Sequence, residues 1–253
     1  MKPIFWVLLF LYTGASVWRH ARARDVAPRP DQWRWVGLQT PLLAAALWLA
    51  FERGVLSRGL FSPLGIAGGL AAGYLAHAVS LFVTNASTDV RGLLRSLRLY
   101  FLRGSRRGAF FAGRPGPMFA LLHNSIVEEI IFRAVAQPLL IAATGLSAVS
   151  ICMVAFLFAV GHEHAVRRPR IESFEFLAYS VLLGALYHWT GSLILVIVVH
   201  TVRNFELQYQ QHLLRVGALR QRRRAVVFRA RRRGRSVRRW SAMTNRRTLR
   251  CLA

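Results

Sequence analysis

Three short clusters in an otherwise apolar chain carry side chains that can move protons. The first is Glu128-Glu129-Ile130-Ile131-Phe132-Arg133. The second is Phe158-Ala159-Val160-Gly161-His162, followed by Glu163 and His164. The third is His200-Thr201-Val202-Arg203-Asn204. A carboxylate in an apolar pocket is poised to take a proton from water. A histidine beside it can orient that water. A second histidine and an amide can donate hydrogen bonds to the oxyanion of a tetrahedral intermediate. Together these are the groups that a water-driven hydrolysis of a peptide bond requires.

Spacing separates the roles. Glu129 and Arg133 are four apart, share a helix face and can pair. Glu129 therefore reads as a fastener between helices. Glu128 has Ile131 and Phe132 at those offsets, so its own helix offers no cation and another helix must serve it. That makes Glu128 the candidate base. His200 and Asn204 are also four apart and project from one face, where they suit either an interhelical hydrogen bond or an oxyanion site. His162 alone would read as a helix-end residue. Other hydrolytic chemistries lack their residues. There is no Gly-x-Ser-x-Gly elbow and no His-Glu-x-x-His zinc helix. Cys152 has no histidine within a helical turn, which argues against a cysteine nucleophile. Glu128, His162 and His200 would fit a catalytic zinc site with an open position; a mechanism with no required cofactor is the favoured expectation.

The elements that must hold these clusters follow from composition. The chain has 253 residues, 54% hydrophobic and only 18% charged, with a formal net charge of +25. Soluble domains carry about 25% charged residues, and a disordered basic protein lacks this much apolar surface. A polytopic membrane protein with basic loops remains. Seven apolar segments are predicted, at 3–18, 35–51, 60–83, 118–143, 147–161, 173–189 and 192–205. The expected fold is all-α, a bundle of about seven transmembrane helices. Residues 91–101 alternate Arg and Leu at helical spacing, as in a helix lying on a membrane surface.

Charge gives the orientation. With the N-terminus outside, thirty of the 34 arginines fall in cytoplasmic loops and tail, and only Arg53 and Arg58 fall in outside loops. Arginine concentrates on the cytoplasmic side, so N-out, C-in is expected. The same rule makes the first segment a retained anchor rather than a cleaved signal, because five arginines follow it. On that topology all three clusters lie in the cytoplasmic half of the membrane. The tail after Phe205 carries fifteen arginines and no acid beyond Glu206. It is expected to be disordered and held to anionic lipid, with no specific nucleic acid partner. The two cysteines cannot make a disulfide framework.

With Glu128-Glu129…Arg133, Phe158…His162 and His200…Asn204 in order, the sequence resembles the CAAX-protease and bacteriocin-processing (CPBP) family of intramembrane proteases. Residues 182–193 also resemble that family's sixth helix and turn. The resemblance runs from Met118 to Asn204. It divides the chain into N-terminal spans with a basic loop and amphipathic helix (1–117), a protease core (118–206) and an Arg-rich tail (207–253). It implies a helical membrane fold with a conical cavity open to lipid and cytosol. It implies that Glu128 and His162 activate water and that His200 and Asn204 form the oxyanion site. Glu129, Arg133 and Phe158 occupy motif positions of structural support. Family members are often labelled metalloproteases, although a glutamate mechanism needs no metal. The expected protein is a multi-pass enzyme of a bacterial inner membrane, acting on a membrane-embedded C-terminal sorting helix or a small leader peptide. A non-catalytic bacteriocin-immunity or peptide-binding protein is the alternative, and a proton-coupled carrier a more distant one. Substrate and oligomeric state are left open by the sequence.

Overall fold

The computed structural model describes residues 1–22, 32–55, 62–84, 98, 104–162 and 170–213. All regular structure among these residues is helical, and they contain no strand. The helices are α1 (Lys2–Arg22), α2 (Gln32–Glu52), α3 (Pro63–Thr84), α4 (Gly104–Ala112), α5 (Pro115–Glu129), a π-helical stretch (Ile130–Ala136), α6 (Gln137–Thr144), α7 (Ser147–Val160), α8 (Arg170–Thr190) and α9 (193–206). Each of the seven apolar segments is helical where it is described, apart from Ser62, Gly161 and Ser192 at segment ends. The chain divides into two compact units, Met1–Glu206 and Leu207–Ala253. In the second unit, residues 207–213 are helical. The amphipathic helix expected at 91–101, apart from a helical Arg98, and the basic tail from Arg215 onward lie outside the described residues, as do Glu163 and His164.

Local chemistry sets the helix ends. Ser62 Oγ accepts the Gly65 N–H at 3.2 Å, and Pro63 opens α3, where a missing N–H costs nothing. Gly145 closes α6 at φ +69°, a left-handed conformation that favours glycine. Ser192 caps the start of α9 by accepting the Leu195 N–H at 3.3 Å. Residues 115–144 form one long helical run. Its middle turns are π-helical, with i→i+5 bonds that widen the helix just past the two glutamates. Such turns are rare and are common at functional sites.

One helix among the described residues, Pro63–Val83, is long and apolar enough to cross a membrane by length and composition. The helix Ser147–Val160 is apolar but short. Its 14 residues reach about 21 Å at 1.5 Å each. α8 is long enough but carries Arg170, Glu172 and Glu175 in its first two turns.

The core gathers where α1, α2, the π-helical stretch, α7, α8 and α9 meet, around Phe5, Leu42, Ile131, Phe158, Leu183 and Val196. α3 packs on α9 through glycines. A Cβ at Gly69 would lie 2.7 Å from Val198 Cβ and 2.9 Å from the Leu195 carbonyl oxygen. A Cβ at Gly73 would lie 2.9 Å from Val202 Cβ. Small residues at this spacing let two backbones approach closely, the usual way helices associate in lipid. The seam seats the helix that carries His200 and Asn204.

The seam gives a paired prediction. Gly69→Ala should lose about 1–3 kcal/mol through overpacking against backbone. Gly68→Ala, whose Cβ would meet only Leu195 Cδ1 at 3.7 Å, should be neutral or slightly stabilising. Thermal unfolding in detergent separates the two; equal effects would remove the seam from this account.

Candidate active site

The three clusters converge. Glu128 ends α5, His162 follows α7, and His200 lies in α9. Glu128 Oε1 is 3.6 Å from His162 Nε2, and Glu128 Oε2 is 3.6 Å from His200 Nε2. Access is graded. The side chains of His162 and Glu128 are 30% and 16% exposed, whereas those of His200 and Glu129 are 3% and 0%. The Glu128–His162 end is therefore open to the surface, and the His200–Glu129 end is closed.

Hydrogen-bond partners orient both imidazoles. His162 Nδ1 donates to the Phe158 carbonyl oxygen at 2.6 Å, and His200 Nδ1 donates to Glu129 Oε1 at 2.7 Å. In the neutral tautomers set by these acceptors, each Nε2 carries a lone pair. Both lone pairs face the Glu128 carboxylate from just beyond hydrogen-bond range. Acceptors cannot satisfy one another, so a stable arrangement needs a proton on one of the three groups or a water that donates to them. The geometry is therefore a receiver for water or a proton.

Behind this trio lies a fully buried support. Arg133 Nε is 3.4 Å from Glu129 Oε2, and Arg133 Nη2 donates to the carbonyl oxygen of Ser180 at 3.0 Å and to its Oγ at 2.8 Å. One turn further on, Gln137 donates to the Gly184 carbonyl oxygen at 2.9 Å. Two rungs four residues apart thus tie the π-helical run to α8. Phe158 sits at the centre of the site. Its ring lies 4.4 Å from that of His162, 5.8 Å from that of His200 and 5.1 Å from that of Phe132, with the Arg133 guanidinium 4.6 Å above it. It separates the buried cation from the Glu128 pocket and fills the space between the imidazoles.

Asn204 stands apart from the trio: its amide nitrogen donates to Ser125 Oγ at 3.2 Å. Ser125 in turn donates to the Leu121 carbonyl oxygen. An amide carries two N–H groups, so one remains for a ligand. Sequence reasoning passed over Ser125 and Ser180, which make uncharged contacts across helices that no spacing rule links. It also left Arg203 and Glu175 unassigned. They pair at 2.7 Å, with Arg203 4.3 Å over the Tyr179 ring. Two opposite charges inside apolar runs were a readable signal that they meet.

Both Nε2 atoms have the lone pair and the Nδ1 partner that a zinc ligand needs. However, the two oxygens of Glu128 each face a separate imidazole, and among the described residues no three His, Cys, Asp or Glu side chains are grouped to hold an ion. The arrangement does not fit a bound zinc.

Residues 115–205 match the family model described as Type II CAAX prenyl endopeptidase Rce1-like. The match covers the stretch that carries all three motifs and agrees with the family resemblance read from them. The family so described is one of prenyl endopeptidases. No curated protein and no solved structure matches the chain.

The buried support is open to test. Glu129→Ala should cost about 3–5 kcal/mol by leaving the Arg133 charge without its carboxylate. Adding Arg133→Met should recover most of the loss. A double variant no more stable than the single one in detergent unfolding would mean the ion pair is not what holds the helices.

Proposed function

We propose that this protein is an intramembrane endopeptidase that hydrolyses a peptide bond in a membrane-associated protein or peptide, with Glu128 as general base. The observation that carries the reading is the single, partly exposed carboxylate faced by two imidazole Nε2 atoms at 3.6 Å. Water there donates one proton to Glu128 and the other to His162 Nε2. As its oxygen bonds to the scissile carbonyl carbon, the proton passes fully to Glu128. The carbonyl oxygen gains charge and is met by the remaining Asn204 N–H and by His200, which donates through Nε2 in its imidazolium form while Glu129 holds Nδ1. Collapse of the intermediate breaks the C–N bond, and Glu128 returns its proton to the leaving amine. One water is consumed; one acid and one amine are made.

Support for membrane insertion comes from the surface. Phe10, Phe51, Leu64, Leu75, Phe119 and Phe156 are all exposed, and apolar exposure on this scale is costly in water. Seven spans are the reading of the hydropathy, and the charge rule then sets the N-terminus outside and the arginine-rich tail at the cytoplasmic face against anionic lipid. A membrane-impermeant thiol reagent should then label Cys251 in inside-out vesicles and not in right-side-out ones; the reverse pattern would invert the topology.

Glu128→Gln keeps the size of the side chain and removes the base. It should lower cleavage of a membrane peptide substrate by at least about 1,000-fold without loss of folding, since the base and its water are lost together. Undiminished cleavage would remove Glu128 from the role. Chelators should leave wild-type activity intact; inhibition reversed by added zinc would replace the glutamate mechanism with a metal one.

A further inference from the structure

A cavity of about 310 Å³ lies on the face of α9 opposite His200 and Asn204. It is walled by α3, α4, α5 and α9, with Leu70, Leu122 and Val198 in its apolar lining. Thr201 and Glu206 line it as well. Leu70 is exposed, so the cavity opens on the surface that the membrane covers.

Two polar atoms there lack what burial demands. The Glu206 side chain is 1% exposed; its Oε1 pairs with Arg107 Nη1 at 3.2 Å, while its Oε2 has no hydrogen-bond partner among the described residues. Thr201 Oγ1 is buried and likewise has none. A carboxylate oxygen and a hydroxyl left so are costly, and both belong to one cavity. The missing partner of the carboxylate has to be a hydrogen-bond donor, and a cationic one serves it best.

Their order along the helix narrows the ligand further. The apolar segment of α9 ends at Phe205, so Glu206 stands at its membrane boundary. Thr201 lies five residues back, about 7.5 Å along the axis, and Val198 about 12 Å back. From the boundary inward the cavity thus presents a carboxylate, then a hydroxyl, then apolar side chains. Arg107 stands beside the carboxylate, 16% exposed, with its guanidinium 5.4 Å from the centre of the Tyr74 ring. A phospholipid with a primary ammonium head carries the complementary groups in the same order. The ammonium donates to Glu206 Oε2, the phosphate faces the Arg107 charge, an ester carbonyl accepts from the Thr201 hydroxyl, and the acyl chain runs along Leu70 and Val198. A choline head has no N–H to give Glu206. A glycerol head brings no cation to it.

We propose that this cavity is a binding site for one phospholipid with a primary ammonium headgroup, held at the boundary by Glu206 and one and a half turns deeper by Thr201. The inference needs the membrane placement proposed above and is independent of the proteolytic chemistry, so its test reads lipid binding and not cleavage.

The full chain in detergent is titrated with dioleoyl phosphatidylethanolamine, phosphatidylcholine and phosphatidylglycerol, and bound lipid is counted by native mass spectrometry. Wild type is expected to take one phosphatidylethanolamine at least about 10-fold more tightly than either of the others, the scale of one hydrogen bond to a charged group. Affinities within about twofold of one another, or phosphatidylglycerol binding tightest, overturn the proposal. Glu206→Gln keeps the shape and removes the charge; it should bring phosphatidylethanolamine to within about twofold of phosphatidylcholine, with the lipid-free thermal midpoint as the check on folding. A folded Glu206→Gln that keeps the preference overturns the proposal. Thr201→Val leaves the Glu206–Arg107 pair in place and decides the matter should Glu206→Gln not fold. It should weaken phosphatidylethanolamine by about 3- to 10-fold, and unchanged affinity overturns the proposal. Failure here leaves the membrane placement standing, because the labelling of Cys251 tests that separately.

Discussion

The Glu129–Arg133 ion pair is the constraint on which the rest depends. Both side chains are buried from solvent, and a buried charge persists only when it is paired and hydrogen-bonded. Arg133 meets it in part by reaching across to Ser180 and Glu129 by accepting from His200 Nδ1, while Arg133 Nε and Nη1 and Glu129 Oε2 make no hydrogen bond among the described residues and are held by the ion pair alone. One pair thus joins three helices: the run of 115–144, α8 and α9. It also chooses the tautomer of His200. With Nδ1 committed to a carboxylate, the other nitrogen has to face Glu128. The support and the site are one network, so the two adjacent glutamates divide labour by surroundings rather than by type. Glu129 has a cation, an imidazole and no exposure; Glu128 has two lone pairs and a path to water.

Backbone features let this network form. The π-helical stretch begins directly after Glu129 and holds Arg133 within reach of it. A widened turn changes the direction in which later side chains leave the helix, which lets Arg133 and Gln137 both meet α8. The facing position on α8 is Gly184, where a Cβ would come 3.0 Å from Gln137 and 2.8 Å from Ile151. At α3, Gly69 and Gly73 serve α9 in the same way. Glycine is placed where a neighbouring helix comes too close to leave room for a Cβ.

The pocket is built from helices distant in the chain, and each brings one kind of group. The α5 end brings the carboxylate, the α7 end an imidazole held by its own backbone, and α9 an imidazole held by a carboxylate. Phe158 keeps these groups apart, because its ring is in contact with both imidazoles and lies under the Arg133 guanidinium. An apolar spacer between a buried cation and the reacting carboxylate limits their direct pairing, which would otherwise quench the base.

The residues by themselves determined the helical class, the approximate place of each apolar helix, and the difference between Glu129 with its local cation and Glu128 without one. These are local properties: hydropathy over about 20 residues, and offsets of three or four along one helix. They also singled out His162, His200 and Asn204 as candidates, because polar groups in apolar runs are costly. Tertiary structure decided everything that depends on which helix faces which. It directed His200 Nδ1 to Glu129, gave the Asn204 amide to Ser125, anchored Arg133 on Ser180 and paired Arg203 with Glu175. No spacing rule reaches those contacts, since their partners lie 28 to 79 residues apart in the hydrogen-bonded cases and meet only through packing. The π-helical turn was equally hidden, because its sequence, Ile-Ile-Phe-Arg-Ala-Val-Ala, suits an ordinary α-helix, and only the pull of α8 on Arg133 and Gln137 distinguishes the two.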